Sequence, residues 1–141
     1  MIVKLLLLGV ICLALSPLYY QKAEEDSKMI EGNWIPITAE LAGQRMPDET
    51  LKDTRLILAD GRYTFQNDHG SYTLAPSEKP KAMEITGKEG ANQGKTFLAI
   101  YELTDDTLRI CYDLSGKTRP TEFTTKAGTR LFLVTYKRVK N

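Results

Sequence analysis

Between Asn33 and Val139 the chain breaks into about eight short β-prone runs separated by turn signals, and no internal stretch is long enough for a crossover helix. A parallel sheet requires such crossovers, whereas an antiparallel sheet requires only tight turns. The clearest turn is Asp60-Gly61, set between T-R-L-I-L-A and R-Y-T-F-Q. Asp-Gly accepts the left-handed backbone of a two-residue hairpin, whose twist matches that of the strands it joins. N-D-H-G, S-E-K-P, G-K-E-G-A-N-Q-G and T-D-D divide the runs that follow. The stretch L-S-G-K-T-R-P-T-E-F-T-T-K-A-G is irregular, with room for a short extended piece at Glu122 to Thr124. Successive hairpins predict an all-β, antiparallel, up-and-down barrel of about eight strands, because closure removes the exposed edges. E-E-D-S-K-M ahead of the first run predicts a short helical lead-in, and M-P-D-E-T-L-K-D one helical turn or a loop.

Side chains alternate between the two faces of a strand, so period-two patterning assigns an inside and an outside. Tyr63, Phe65, Tyr72, Leu74, Met83 and Ile85 form one set, continued by Leu108, Ile110 and Tyr112. Arg62, Thr64, Gln66, Ser71, Thr73, Glu84 and Thr86 form the other, continued by Arg109, Cys111 and Asp113. The first set must face the interior. The run Phe97 to Leu103 is apolar on both faces, which predicts that another segment covers its outer side.

The N-terminus follows different rules. Lys4 is followed by an apolar stretch from Leu5 to about Leu15, the pattern of a secretory signal and too short for a comfortable bilayer span of ~20 residues. Residues 1–23 are therefore expected to be a signal peptide or signal-anchor, and residues 24–141 the barrel domain. Export to the periplasm, envelope or medium is expected, with contact to the membrane only through the N-terminal segment, if it is uncleaved or if Cys12 is lipidated. Removing residues 1–23 takes away Lys4, Lys22 and Cys12, which leaves Cys111 as the single cysteine and leaves no internal disulfide. A domain of this length builds a sufficient core without one.

Charge excludes one class of partner. The formal net charge is +1, with basic and acidic residues interspersed, so the basic stripe of a nucleic-acid binder is missing. A monomer is expected.

Catalytic signals are weak. The only histidine, His69, falls in the turn N-D-H-G, where a solvated role is expected. Neither a Cys/His cluster with metal-site spacing nor a G-x-S-x-G nucleophile elbow occurs. The pairs Asp48-Glu49 and Asp105-Asp106 fall in turns, and the glycine-rich loop lacks the following helix that phosphate binding requires. No enzyme activity, metal or cofactor is expected.

Binding is the better prospect. A barrel of this size either fills with side chains or holds one small ligand. Tyr63, Phe65, Tyr72, Met83, Phe97, Tyr101 and Tyr112 are the candidate lining residues, suited to an apolar or amphipathic molecule that meets a few tyrosine hydroxyls. They suit a packed core as well, in which case the barrel is an interaction or structural module of the envelope.

Gly32-Asn33-Trp34 at the start of the first strand resembles the G-x-W signature of lipocalins and related calycin barrels. The resemblance implies that Trp34 closes the barrel floor beside Gly32, covered by a basic side chain from the last strand: Arg138, with Lys137 second. A wider resemblance rests on A-G-Q-R-M-P, K-P-K-A-M-E-I-T, E-G-A-N-Q-G-K-T-F-L-A-I-Y-E-L, D-T-L-R-I-C-Y and G-K-T-R-P-T-E-F. These strings resemble a family of small exported proteins, chiefly of planctomycetes, with an uncharacterised lipocalin-like domain. That family implies no activity, cofactor or ligand. It marks G-K-T-R-P-T-E-F as a recurrent feature. In one reading Arg119 and Glu122 pin a connection over the barrel while Phe123 plugs an opening; in the other Arg119 reads an anion at the pocket mouth.

Overall fold

The computed structural model describes residues 17–140. Most of the expected export segment, with Cys12, lies outside the described residues. Helix α1 (Pro17–Met29) leads into strand β1 (Gly32–Leu41); the two-residue β2 (Gln44–Arg45) folds back on the end of β1, and one helical turn, α2 (Asp48–Leu51), follows. Then come β3 (Leu56–Ala59), β4 (Arg62–Phe65), β5 (Asp68–Ala75), β6 (Ala82–Glu89), β7 (Thr96–Leu103), β8 (Thr107–Asp113) and β9 (Leu131–Arg138). From β3 onward each strand pairs antiparallel with the next, while β1 pairs with both β3 and β9. The result is a closed antiparallel barrel of eight strands with a helical lead-in.

The Asp60-Gly61 hairpin forms as expected, with φ of 50° and 72° at its two residues. The next turn differs from expectation. Gln66 takes a φ of 55°, and Phe65 pairs directly with Asp68 and Thr64 with His69. Gln66-Asn67 is therefore the whole turn, and Asp68-His69-Gly70 belong to β5. His69 lies on the outer face, its Nδ1 3.3 Å from Thr64 Oγ1, and not at a hairpin tip. Gly70 is needed where it stands, because a Cβ there would run into the Thr86 carbonyl and would lie 2.6 Å from the Tyr63 ring.

The faces follow the alternation. Tyr63, Tyr72, Met83, Ile85, Leu108 and Ile110 are in the buried core, with Phe65, Leu74 and Tyr112 packed against it. The outer side of β7 is covered, as its two-sided apolar character predicts. The connection between β8 and β9 lies over β6, β7 and β8, where Ala82, Ile100 and Cys111 are buried. Arg119 anchors it by donating from Nη1 to the carbonyls of Met83 (2.8 Å) and Ala99 (2.6 Å). Pro120 is buried. Phe123 lies beneath the Arg109 guanidinium, 4.3 Å from ring centroid to Cζ, on the outer wall; it plugs no opening. Glu122 is exposed, and Glu122 to Thr124 form no strand. The Cys111 thiol is fully buried and points at the Thr124 carbonyl, 3.8 Å away. Burial raises its pKa, overriding the lowering influence of nearby Arg109, which leaves a poor nucleophile.

The same connection begins at Asp113, an outward residue that is only 5% exposed. Burial opposes its ionisation, but the Ser115 hydroxyl and the amides of Thr118, Ser115 and Lys117 all donate to it, and together they hold its pKa below the usual carboxylate range. One carboxylate thus nucleates the turn by satisfying amides that would otherwise lack acceptors.

The floor is built from both ends of the sequence. Trp34 is fully buried, pairs in register with Arg138, and donates from Nε1 to the Ile30 carbonyl at 2.9 Å. The Arg138 guanidinium lies over the indole, 4.2 Å from its centroid. It donates from Nε to Asp105 O (2.6 Å), from Nη1 to Glu31 O (2.7 Å) and from Nη2 to Met29 O (2.5 Å). A cation placed at the C-terminal end of α1 also meets the negative end of the helix dipole. Gly32 has a φ of 143°, and a Cβ there would come within 2.7 Å of Arg138 Nη1. Glycine at this position lets the guanidinium approach the backbone. Lys137 is exposed, so of the two candidates Arg138 is the covering side chain.

Helix α1 is tied to the same end. Asp26 is 5% exposed, takes Lys81 Nζ at 2.8 Å and the Tyr101 hydroxyl at 2.6 Å on Oδ2, and Lys81 again at 3.1 Å on Oδ1. Asp26 is the one buried residue of α1, so this carboxylate, reaching Lys81 and Tyr101, fixes where the helix lies.

Candidate functional site

Register sorts the strand ends into two rims. The floor rim holds α1, Trp34, Arg138 and the turns at 60–61 and 104–106. The opposite rim holds the Gln66-Asn67 turn, the glycine-rich loop at 90–95 and the start of the β8–β9 connection. Toward that second rim the interior is not filled. A cavity of about 290 Å³ remains, just under the ~300–1,000 Å³ typical of small-molecule sites.

Of the residues expected to line a pocket, Tyr63, Phe65, Tyr72, Met83, Phe97 and Tyr112 do so. Tyr101 does not. It faces the interior from β7, but near the floor, where its hydroxyl donates to Asp26; burial and that carboxylate raise its pKa far above the phenol range. Arg119 is absent from the cavity wall as well. Its guanidinium is spent on the Met83 and Ala99 carbonyls under the outer connection, so the anchoring role is observed and the mouth role is not. Ile110, Leu114, Phe132 and Tyr136 complete much of the wall.

Two polar groupings interrupt this apolar surface. The hydroxyls of Tyr112 and Tyr136 lie 3.1 Å apart. Burial pushes Tyr136 up to about 12 and Tyr112 well above its ordinary value, so both are neutral donors and acceptors. Tyr112 also stacks on Phe132, with ring centroids 5.9 Å apart.

The second grouping is Asp68 with Tyr63 and Asn92, and two of its three members went unrecognised in the sequence. Asp68 Oδ2 accepts from the Tyr63 hydroxyl (3.2 Å) and from Asn92 Nδ2 (2.7 Å). Burial, then the Asp68 charge and hydrogen bond, push the Tyr63 pKa up to about 12. Continuing the alternation back from Tyr72 through Gly70 would have placed Asp68 inside. Asn92 carried no such signal. It reaches the cavity because the loop at 90–95 folds back on β6 through Gly87 N–H to Lys95 O (2.9 Å) and Gly94 N–H to Gly87 O (3.0 Å).

No family model matches the chain, and neither curated proteins nor solved structures give a significant match. Among the described residues no group of three or more His, Cys, Asp or Glu side chains converges as metal ligands would. What the cavity offers is an aromatic enclosure with one carboxylate and one tyrosine pair.

Proposed function

We propose that this chain is an exported, lipocalin-like binding protein, kin to the small exported family its motifs resemble, whose barrel holds a small apolar or amphipathic molecule. The observation that carries the reading is the 290 Å³ cavity, walled mainly by apolar and aromatic side chains, above a floor sealed by Trp34 and Arg138. A barrel evolved only to be rigid would gain from filling that space, since empty volume forfeits packing contacts. The export part rests on the apolar N-terminal run after Lys4. Among the described residues no helix is long and apolar enough to cross a membrane.

The competing reading is a filled barrel acting as an interaction module through the outer face of Phe97 to Leu103. The β8–β9 connection covers that face. The large apolar side chains that are exposed on strands are instead Ile35, Ile37, Leu41 and Ile57, on β1 and β3.

The binding reading is checked with a fluorescent apolar reporter, 1-aminonaphthalene. Saturable one-to-one enhancement is expected, abolished in Met83→Trp, which places an indole in the cavity. Equal enhancement in the two proteins, with Met83→Trp folded by circular dichroism, would place the dye elsewhere.

A further inference from the structure

We propose that the cavity selects a small arylalkyl- or alkylamine, with its protonated nitrogen on the Asp68 carboxylate and its apolar body among the aromatic walls. The inference rests on the binding reading above and names the ligand class for that site.

One carboxylate oxygen in the wall is unmatched. Asp68 faces inward by register, paired with Phe65, and its Oδ2 already takes two donors. Its Oδ1 is sealed from solvent and has no hydrogen-bond partner, the one such buried side-chain atom among the described residues. Leaving a buried acceptor unsatisfied costs ~1–3 kcal/mol, and more when it is charged. Native structures carry few such atoms, and each calls for a cause. Asp68 lines the cavity, and a slight turn of its side chain would bring that oxygen to a ligand donor there.

The surroundings select the kind of donor. Among the described residues no Lys, Arg or His lines the cavity, so the carboxylate meets no counter-charge from them, and an anionic ligand would meet it unscreened. The hydroxyls of Tyr63, Tyr112 and Tyr136 are engaged with Asp68 or with one another, which leaves few donors for a ligand that only accepts. An ammonium supplies both the charge and the N–H bonds, and charge-assisted bonds are about twice as strong as neutral ones. The rings of Phe65, Phe97 and Phe132 stand in the same wall and favour a cation or an aryl group near their faces. Volume bounds the size: at ~30 Å³ per water, a cavity of 290 Å³ suits a molecule of about ten non-hydrogen atoms.

The test is calorimetric titration at pH 7 with three near-isosteres: 2-phenylethylamine, 2-phenylethanol and phenylacetate. The amine is expected to bind about tenfold tighter than the alcohol, and phenylacetate weakest. Asp68→Asn should weaken the amine about tenfold and leave the alcohol within about twofold. Equal affinity for amine and alcohol, or a preference for phenylacetate, would overturn the proposal even if the variant failed to fold, because the series on the unaltered protein decides it. If 1-aminonaphthalene binds and the amine shows no preference, the amine assignment falls and the binding reading stands. If neither the reporter nor any of the three binds, both fall.

Discussion

Replacing Trp34 with alanine is expected to lower stability by about 3–5 kcal/mol, as for other large core aromatics. The indole is fully buried, and its removal would empty the floor, strip Ile30 O of its Nε1 donor and leave Arg138 without the ring it covers. The cation–π contact alone is worth only ~0.5–2 kcal/mol, so most of the loss comes from the cavity. Trp34→Phe should recover much of it. Because Trp34 is the chain's single tryptophan, urea unfolding should be followed by far-UV circular dichroism. A midpoint change equivalent to less than about 0.5 kcal/mol, the range of surface substitutions, would contradict the floor assignment.

The second large effect is expected at Asp26. Asp26→Ala removes the acceptor of the Tyr101 hydroxyl and the partner of Lys81. Breaking a fully buried pair costs ~3–5 kcal/mol, but the Lys81 side chain is 31% exposed, and water can take up part of its charge. A loss of about 2–4 kcal/mol is therefore expected, dominated by the Tyr101 hydroxyl, which belongs to a residue only 1% exposed. Tyr101→Phe should cost less than Asp26→Ala, because it removes one bond and strands no charge. The reverse order in denaturant midpoints would mean that α1 is not held to the barrel through Asp26.

What could be read in advance divides along physical lines. Period-two alternation is local and strong, so Tyr63, Tyr72, Met83 and Ile110 could be placed inside from their neighbours alone. Asp60-Gly61 announced its hairpin because left-handed backbone selects its residues. Gln66 takes the same backbone without being a residue that advertises it, so the sequence pattern puts the turn one step late and hides Asp68 in it. Trp34 and Arg138 were legible together because their resemblance to a known signature linked residues far apart in sequence. Asp26 and Asn92 carried no comparable mark. Their roles depend on partners across the fold: Lys81 and Tyr101 for the first, Asp68 for the second. The depth of Tyr101 along the barrel axis was equally hidden, since alternation states which face a residue takes and not how far from the rim it lies.

The proposed function requires that the cavity above Trp34 be occupied in the living cell. Native mass spectrometry of the protein, purified gently from the cells that make it, tests this most directly. The expected result is one small molecule per chain, retained at low collision energy, and a denatured mass whose N-terminus begins between about Pro17 and Glu25, as for a processed exported protein. A clean ligand-free mass from freshly prepared material would contradict the binding claim, and a chain beginning at Met1 would contradict cleavage.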